Sequence, residues 1–237
     1  MIVSIMQPAY LPWLGFFDRI AASDVLILLD HVLIDRNSKT KFANRNRIRT
    51  AQGWTWLTVP IRSKGKHGDL LINEIELNNE TDWAAKHWRA IELNYRRAPC
   101  FADYAERFHA LYERRWEKLA DLNAAGHGAF TEALGLTTRT LLSSEMDCRE
   151  SKDALILELC RKAGASTYIS GPFGRDYLKA EDFRAAGIEL LFHDYDHPQY
   201  KQCFEGFEPY MSTLDLLFNH GPEALPILRR PASLLPA

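Results

Sequence analysis

Three polar groups stand directly at or behind the ends of apolar runs, and that placement makes them candidates for chemistry. Gln7 follows Ile2-Val3-Ser4-Ile5-Met6, Asp30 follows Val25-Leu26-Ile27-Leu28-Leu29, and Ser170-Gly171 closes Thr167-Tyr168-Ile169. An amide can orient a ligand, and a carboxylate can take a proton from an attacking amine or hydroxyl. A serine–glycine turn offers a hydroxyl and closely approachable backbone N–H groups to an anion. Arg175 and Tyr177, a little further on, add a cation and a phenol to that turn. The loop that opens at Gln7 carries Pro8 and Pro12, each of which pushes its preceding residue out of the helical region. Tyr10 and Trp13 are therefore held with little freedom left to lose on binding, and could stack on a sugar or a base. The alternative is that Pro12 opens a helix and both rings cap the core.

A basic section follows Asp30: Arg36, Lys39 and Lys41, then Asn44-Arg45-Asn46-Arg47-Ile48-Arg49. Amide and guanidinium donors at Asn44, Arg45 and Arg47 suit bidentate capture of a phosphate or carboxylate, unless the run is simply a solvated charged loop. His87 falls on an apolar helical stripe with Trp83, Ile91 and Tyr95, where it serves either as a proton-transfer group or as a satisfied, partly buried histidine. Asp30 and His87 are the candidates for catalysis.

Several classes are disfavoured. With a formal net charge of −2, no global basic field argues for nucleic acid or an anionic membrane. The longest apolar run is far short of a spanning helix, and the first residues enter a strand without a charged leader, so a soluble cytoplasmic protein is expected. Cys100, Cys148, Cys160 and Cys203 lack paired spacing and read as reduced thiols. Metal-protease, nucleophile-elbow and phosphate-loop signatures are missing. His193 and His197, four residues apart with Asp194 and Asp196 between them, could share a metal on a helix, but they fall at a strand end. No metal is expected and no cofactor is assigned.

The elements that must position these groups follow from periodicity. Strands are predicted at residues 2–6, 25–29, 54–61, 71–77, 138–143, 167–170 and 188–192, with 71–77 as antiparallel partner to 54–61. Helices are predicted at 14–23, 82–97, 101–122, 124–134, 152–163, 180–186 and 212–219, with Ser212 as the last cap. Strand–helix–strand order at residues 1–30 makes the first two strands parallel, and ligands of such sheets settle beyond the strands' carboxyl ends. The expected fold is α/β: a parallel or mixed sheet flanked by helices, one domain over residues 1–237 with a helical insertion at about 82–136. The residues after Asn219, with Arg229-Arg230, read as a loose terminus.

These landmarks resemble the WbqC-like protein family. The matching pieces are Gln7-Pro8-Ala9-Tyr10-Leu11-Pro12-Trp13-Leu14-Gly15-Phe16-Phe17, Ser23-Asp24, Asp30-His31-Val32 and Asn44-Arg45-Asn46-Arg47-Ile48. Further pieces are Trp56-Leu57-Thr58-Val59-Pro60, Lys86-His87, Ala98-Pro99, Tyr168-Ile169-Ser170-Gly171 with Gly174-Arg175-Asp176-Tyr177, and Ser212 through Pro222. The segment between Asp30 and Asn44 is longer than usual for the family and carries Arg36 near where a lysine is common. The resemblance marks Gln7, Asp30, Asn44, Arg45, His87, Ser170, Gly171, Tyr177, Asp215 and Asn219 as positions of interest. It implies a tailoring enzyme of surface polysaccharide, such as O-antigen, or of unusual sugars. Such a transferase would act on an activated sugar, such as a sugar nucleotide, or on an acyl or aminoacyl donor. Two alternatives stay open: a nucleotidyl-transferase-like nucleotide-binding enzyme, and a small-molecule-binding protein without chemistry.

Overall fold

The computed structural model describes residues 1–34, 42–62 and 70–237. Arg36, Lys39, Lys41 and the loop at 63–69 lie outside the described residues. In chain order the strands are β1 (Ile2–Met6), β2 (Val25–Leu28), β3 (Arg45–Thr50), β4 (Gly53–Thr58), β5 (Arg139–Leu142), β6 (Thr167–Ser170), β7 (Glu189–His193) and β8 (Leu234–Pro236). Six of them form one mixed sheet in the order β5-β2-β1-β6-β7-β8, parallel except for β8. The α/β class read from the sequence is the class observed.

The near-continuous apolar runs at β1 and β2 reflect burial on both faces. Met6, Leu26 and Leu28 point into one core with α1 (Leu14–Ala21), α4 (Leu119–Ala133) and α7 (Thr213–His220). Val3, Ile5, Val25 and Ile27 point into the other, against α5 (Lys152–Lys162) and α6 (Ala180–Ala185). The helix after β1 thus covers one face, and the helix after the neighbouring strand β6 covers the opposite face. Between those two strands the crossovers part, leaving room at the carboxyl edge.

Four expectations are corrected. The Asn/Arg run is not a loop: it is β3, paired antiparallel with β4 from Arg45↔Thr58 to Thr50↔Gly53. Residues 71–77 are not the partner of that strand; they hold a 3-10 turn, Ile72–Glu74, flanked by isolated bridges to Leu33 and Ile61. Burying Ile72, Ile75 and Leu77 needs no ladder.

The helix expected over residues 101–122 stops short, and its last residues, 119–122, belong to the helix that follows, α4. α2 (Trp83–Tyr95) buries Trp83, His87, Ile91 and Tyr95 as the spacing requires, but α3 (Phe101–Glu113) ends where Arg114 turns extended. There the Trp116 indole donates back to the Leu111 carbonyl at 2.7 Å, and Leu119 opens α4 with its N–H on the Ile75 carbonyl. The break contains neither glycine nor proline, so side-chain spacing could not reveal it.

The carboxyl-terminal segment is also tied down, not loose. The Arg230 N–H donates to Asp18 Oδ1 at 2.9 Å, and β8 closes the edge of β7. On the inner side, Asp18 Oδ2 meets His193 Nε2 at 2.8 Å with both side chains buried. Asp18 thereby joins α1, β7 and the tail.

Candidate functional site

The loop after β1 is stiffer than its prolines alone would make it. Leu11 sits at φ 46°, a left-handed conformation that a Cβ disfavours. It is held there by Asn46 Nδ2 on its carbonyl at 2.6 Å, while Thr213 donates from both N–H and Oγ1 to the Pro12 carbonyl. Strain locked by several outside contacts is characteristic of binding loops. Here it presents Gln7, Pro8 and Trp13 to a cleft of about 500 Å³ between the carboxyl ends of β1 and β6. Ser170, Gly171 and Tyr177 form the facing wall, and Phe16, Ile156 and Phe173 add apolar surface.

The two glycines after β6 are explained by the protein's own side chains. A Cβ at Gly174 would come within 2.1 Å of Ser170 Oγ and 3.1 Å of the Phe192 ring. A Cβ at Gly171 would come within 2.9 Å of Arg19 Nη1. Arg19 stands in the last turn of α1. Because helical side chains lean toward the helix start, it reaches back into the cleft. Its Nε is buried without a hydrogen-bond partner, and burial lowers the guanidinium pKa from its ordinary value. Sequence reading missed Arg19, since a single arginine on a short amphipathic helix looks like a surface residue.

Asp30 borders a second hollow of about 350 Å³, separated from the cleft by Pro8, which lines both. Its carboxylate accepts from Ser143 Oγ at 2.9 Å, from the Ser144 N–H at 2.9 Å and from Ser144 Oγ at 2.7 Å. His31 Nδ1 lies 2.6 Å from the same Ser143 Oγ. A carboxylate cannot donate, so the one serine hydrogen goes to Asp30 and His31 must donate from Nδ1. Nε2 is then the basic nitrogen of a half-buried imidazole backed, through a hydroxyl, by a carboxylate. A histidine directly behind a strand-ending acid was the signal available for it in the sequence.

The other candidates lie elsewhere. Tyr10 is buried, its hydroxyl 2.8 Å from both His87 Nδ1 and the Tyr112 hydroxyl. The His87 ring also bonds the Thr58 backbone, and burial pulls its pKa down to about 4, so it is neutral and engaged. Asn44 donates to the Val59 carbonyl, Arg45 stacks over Trp56 at 4.3 Å, and Arg47 stacks over Trp54 while reaching the Tyr210 carbonyl. Arg175 pairs with Asp194 at 3.0 Å and lies over Phe192. Asp215 is sealed beneath β3, accepting from Gln202 Nε2 at 2.8 Å, and burial lifts its pKa to about 6. Asn219 bonds back to the Asp215 carbonyl within α7. The structure thus brings Gln7, Trp13, Ser170, Gly171 and Tyr177 to one cleft, sets Asp30 beside it, and places Tyr10, Asn44, Arg45, Arg47, His87, Arg175, Asp215 and Asn219 away from its walls.

No helix among the described residues is long and apolar enough to cross a membrane. His193 is committed to Asp18, and no group of three or more His, Cys, Asp or Glu among the described residues is placed to hold a metal ion.

Comparison with known proteins identifies the lineage. The model of the WbqC-like protein family matches residues 7–227. An uncharacterized Mycobacterium tuberculosis protein, Rv1507c, is 40% identical over 229 residues, covering 96% of this chain and 97% of the relative. No solved structure matches significantly. The chain belongs to the WbqC-like protein family.

Proposed function

We propose, with membership of the WbqC-like family as premise, that this protein is a group-transfer enzyme of polysaccharide or unusual-sugar tailoring. The carrying observation is the cleft where the crossovers part, with a rigid Gln-Pro-aromatic loop on one wall and a Ser-Gly turn on the other. That is where open α/β sheets hold small ligands, and about 500 Å³ accommodates an activated sugar or an acyl or aminoacyl donor. Gln7 and Ser170 supply neutral hydrogen bonds, and Trp13 and Tyr177 supply ring faces. Proton transfer falls to His31 Nε2, oriented by Ser143 and Asp30, in preference to His87, whose nitrogens are both engaged. Asp30, with three donors on its oxygens, serves by holding that chain.

A thermal-shift screen of sugar nucleotides, nucleoside triphosphates and acyl or aminoacyl donors, repeated on Trp13→Ala and Ser170→Ala, tests this reading. Stabilisation by a sugar nucleotide or acyl donor, lost in both variants, supports it. Stabilisation by nucleoside triphosphates alone favours nucleotidyl transfer in the same cleft. Ligand stabilisation indifferent to both substitutions removes the cleft from consideration.

A further inference from the structure

We propose that Arg19 is the oxyanion-reading group of the cleft: the ligand enters with a phosphate or carboxylate against its guanidinium and an apolar or flat body over the aromatic lining. This deepens the cleft reading above and rests on it. Among the described residues lining the cleft, Arg19 carries the one formal charge. Its sequence neighbour Asp18 cannot neutralise it, because that carboxylate already takes His193, the Arg230 N–H and, at 3.4 Å, Arg229. The nearby cation Arg175 is held by Asp194, so it does not compete for a ligand's charge.

A guanidinium whose Nε is buried without a partner, with no counter-charge on the cleft walls, works against stability, and folding alone gives no reason to keep one there. The chain around it nevertheless makes room for it. At Gly171 any Cβ would press on Nη1, so the bare backbone of the turn makes room for the fork in the cleft that Ser170 and Tyr177 also line. The fork of an arginine fits two oxygens of one anion. Ser170 and Gln7, both uncharged, can complete the contact without repelling it.

The test is titration calorimetry of the full chain with pyrophosphate, benzoate and the uncharged probe adenosine. The indole resonance of Trp13 is followed by NMR in parallel. Wild type should bind at least one of the two anions and shift the Trp13 signal. Pyrophosphate above benzoate assigns a phosphoryl group, and the reverse assigns a carboxylate. Arg19→Met should weaken that binding about tenfold to a hundredfold, the range of a charged hydrogen bond, while adenosine binding is unchanged. Arg19→Lys should recover part of it. Gly171→Ala should fold normally, because only the flexible end of Arg19 has to move, and should bind anions more weakly. Anion binding equal in wild type and Arg19→Met, or no anion binding while adenosine still shifts Trp13, overturns the proposal and leaves the cleft standing. Failure of all three probes to shift Trp13 overturns the cleft reading with it.

Discussion

Asp18 and Arg19 are adjacent on one helix and end in opposite electrostatic circumstances. On the inner side of α1, Asp18 is surrounded by an imidazole, a guanidinium and a backbone N–H drawn from β7 and the tail. On the cleft side, Arg19 is given space, and its buried Nε has no hydrogen-bond partner among the described residues. The buried knot of Tyr10, His87 and Tyr112 belongs with Asp18, since each polar atom there has a protein partner. The lesson is that completeness marks polar groups that hold the fold, and incompleteness beside an opening marks those reserved for a ligand.

The strongest test of that contrast is Asp18→Ala. It should cost about 3–5 kcal/mol in urea unfolding, the penalty for leaving one partner of a buried pair behind. A loss below about 1 kcal/mol would mean that the inner cluster is not structural.

Acidification probes the buried interior through its histidines. His87 and His127 both have pKa values pulled by burial from 6.5 to about 4. The unfolded chain therefore binds protons first as pH falls from 6.5 toward 4, and stability drops over that window by about 3 kcal/mol for each ring. Asp215 acts in the opposite sense. Its folded pKa, near 6 against 3.8 unfolded, adds stability as pH falls through 6, offsetting about 3 kcal/mol. A net loss of about 3 kcal/mol by pH 4 is expected, smaller in His87→Gln and larger in Asp215→Asn, with unfolding followed at each pH.

The two glycines sharpen the comparison further. Gly174→Ala drives a Cβ into Ser170 Oγ and the Phe192 ring and should cost about 1–3 kcal/mol. Gly171→Ala should cost less than about 1 kcal/mol, because a flexible side chain can withdraw. Equal melting temperatures for the two variants would contradict the packing described for the turn. The smallest effect is expected of Arg19→Met, within about 1 kcal/mol of wild type and toward greater stability. A clear loss on denaturant unfolding would show that the guanidinium holds the fold after all.

Parts of this architecture are legible in the sequence. The apolar runs of β1, β2 and β6 end abruptly on Gln7, Asp30 and Ser170, and the strand–helix–strand order of residues 1–30 makes the first two parallel with their carboxyl ends together. The α2 stripe was equally readable, because burial at every fourth residue is a strong periodic signal. β3 was not, since its inward positions include Asn46, a polar residue buried to hold the Leu11 carbonyl, which breaks the hydrophobic alternation. Nor was β8, because a three-residue strand exists only by virtue of the partner it finds. Arg19 and His31 escaped for a related reason. What distinguishes them is which groups surround them, and those come from β6 and from the segment after β5, far away in the chain.

The short strand β8 has a consequence for handling the protein. It sits on the outer rim of the sheet and ends on Pro236, which has no N–H to offer a neighbouring molecule. Trimming residues 234–237 would leave the backbone hydrogen-bonding groups of Leu190 and Phe192 facing outward, a template onto which another molecule's strand could add. Self-association of a shortened protein, seen as a rising apparent mass with concentration, would then report loss of this capped sheet edge and say nothing about the cleft.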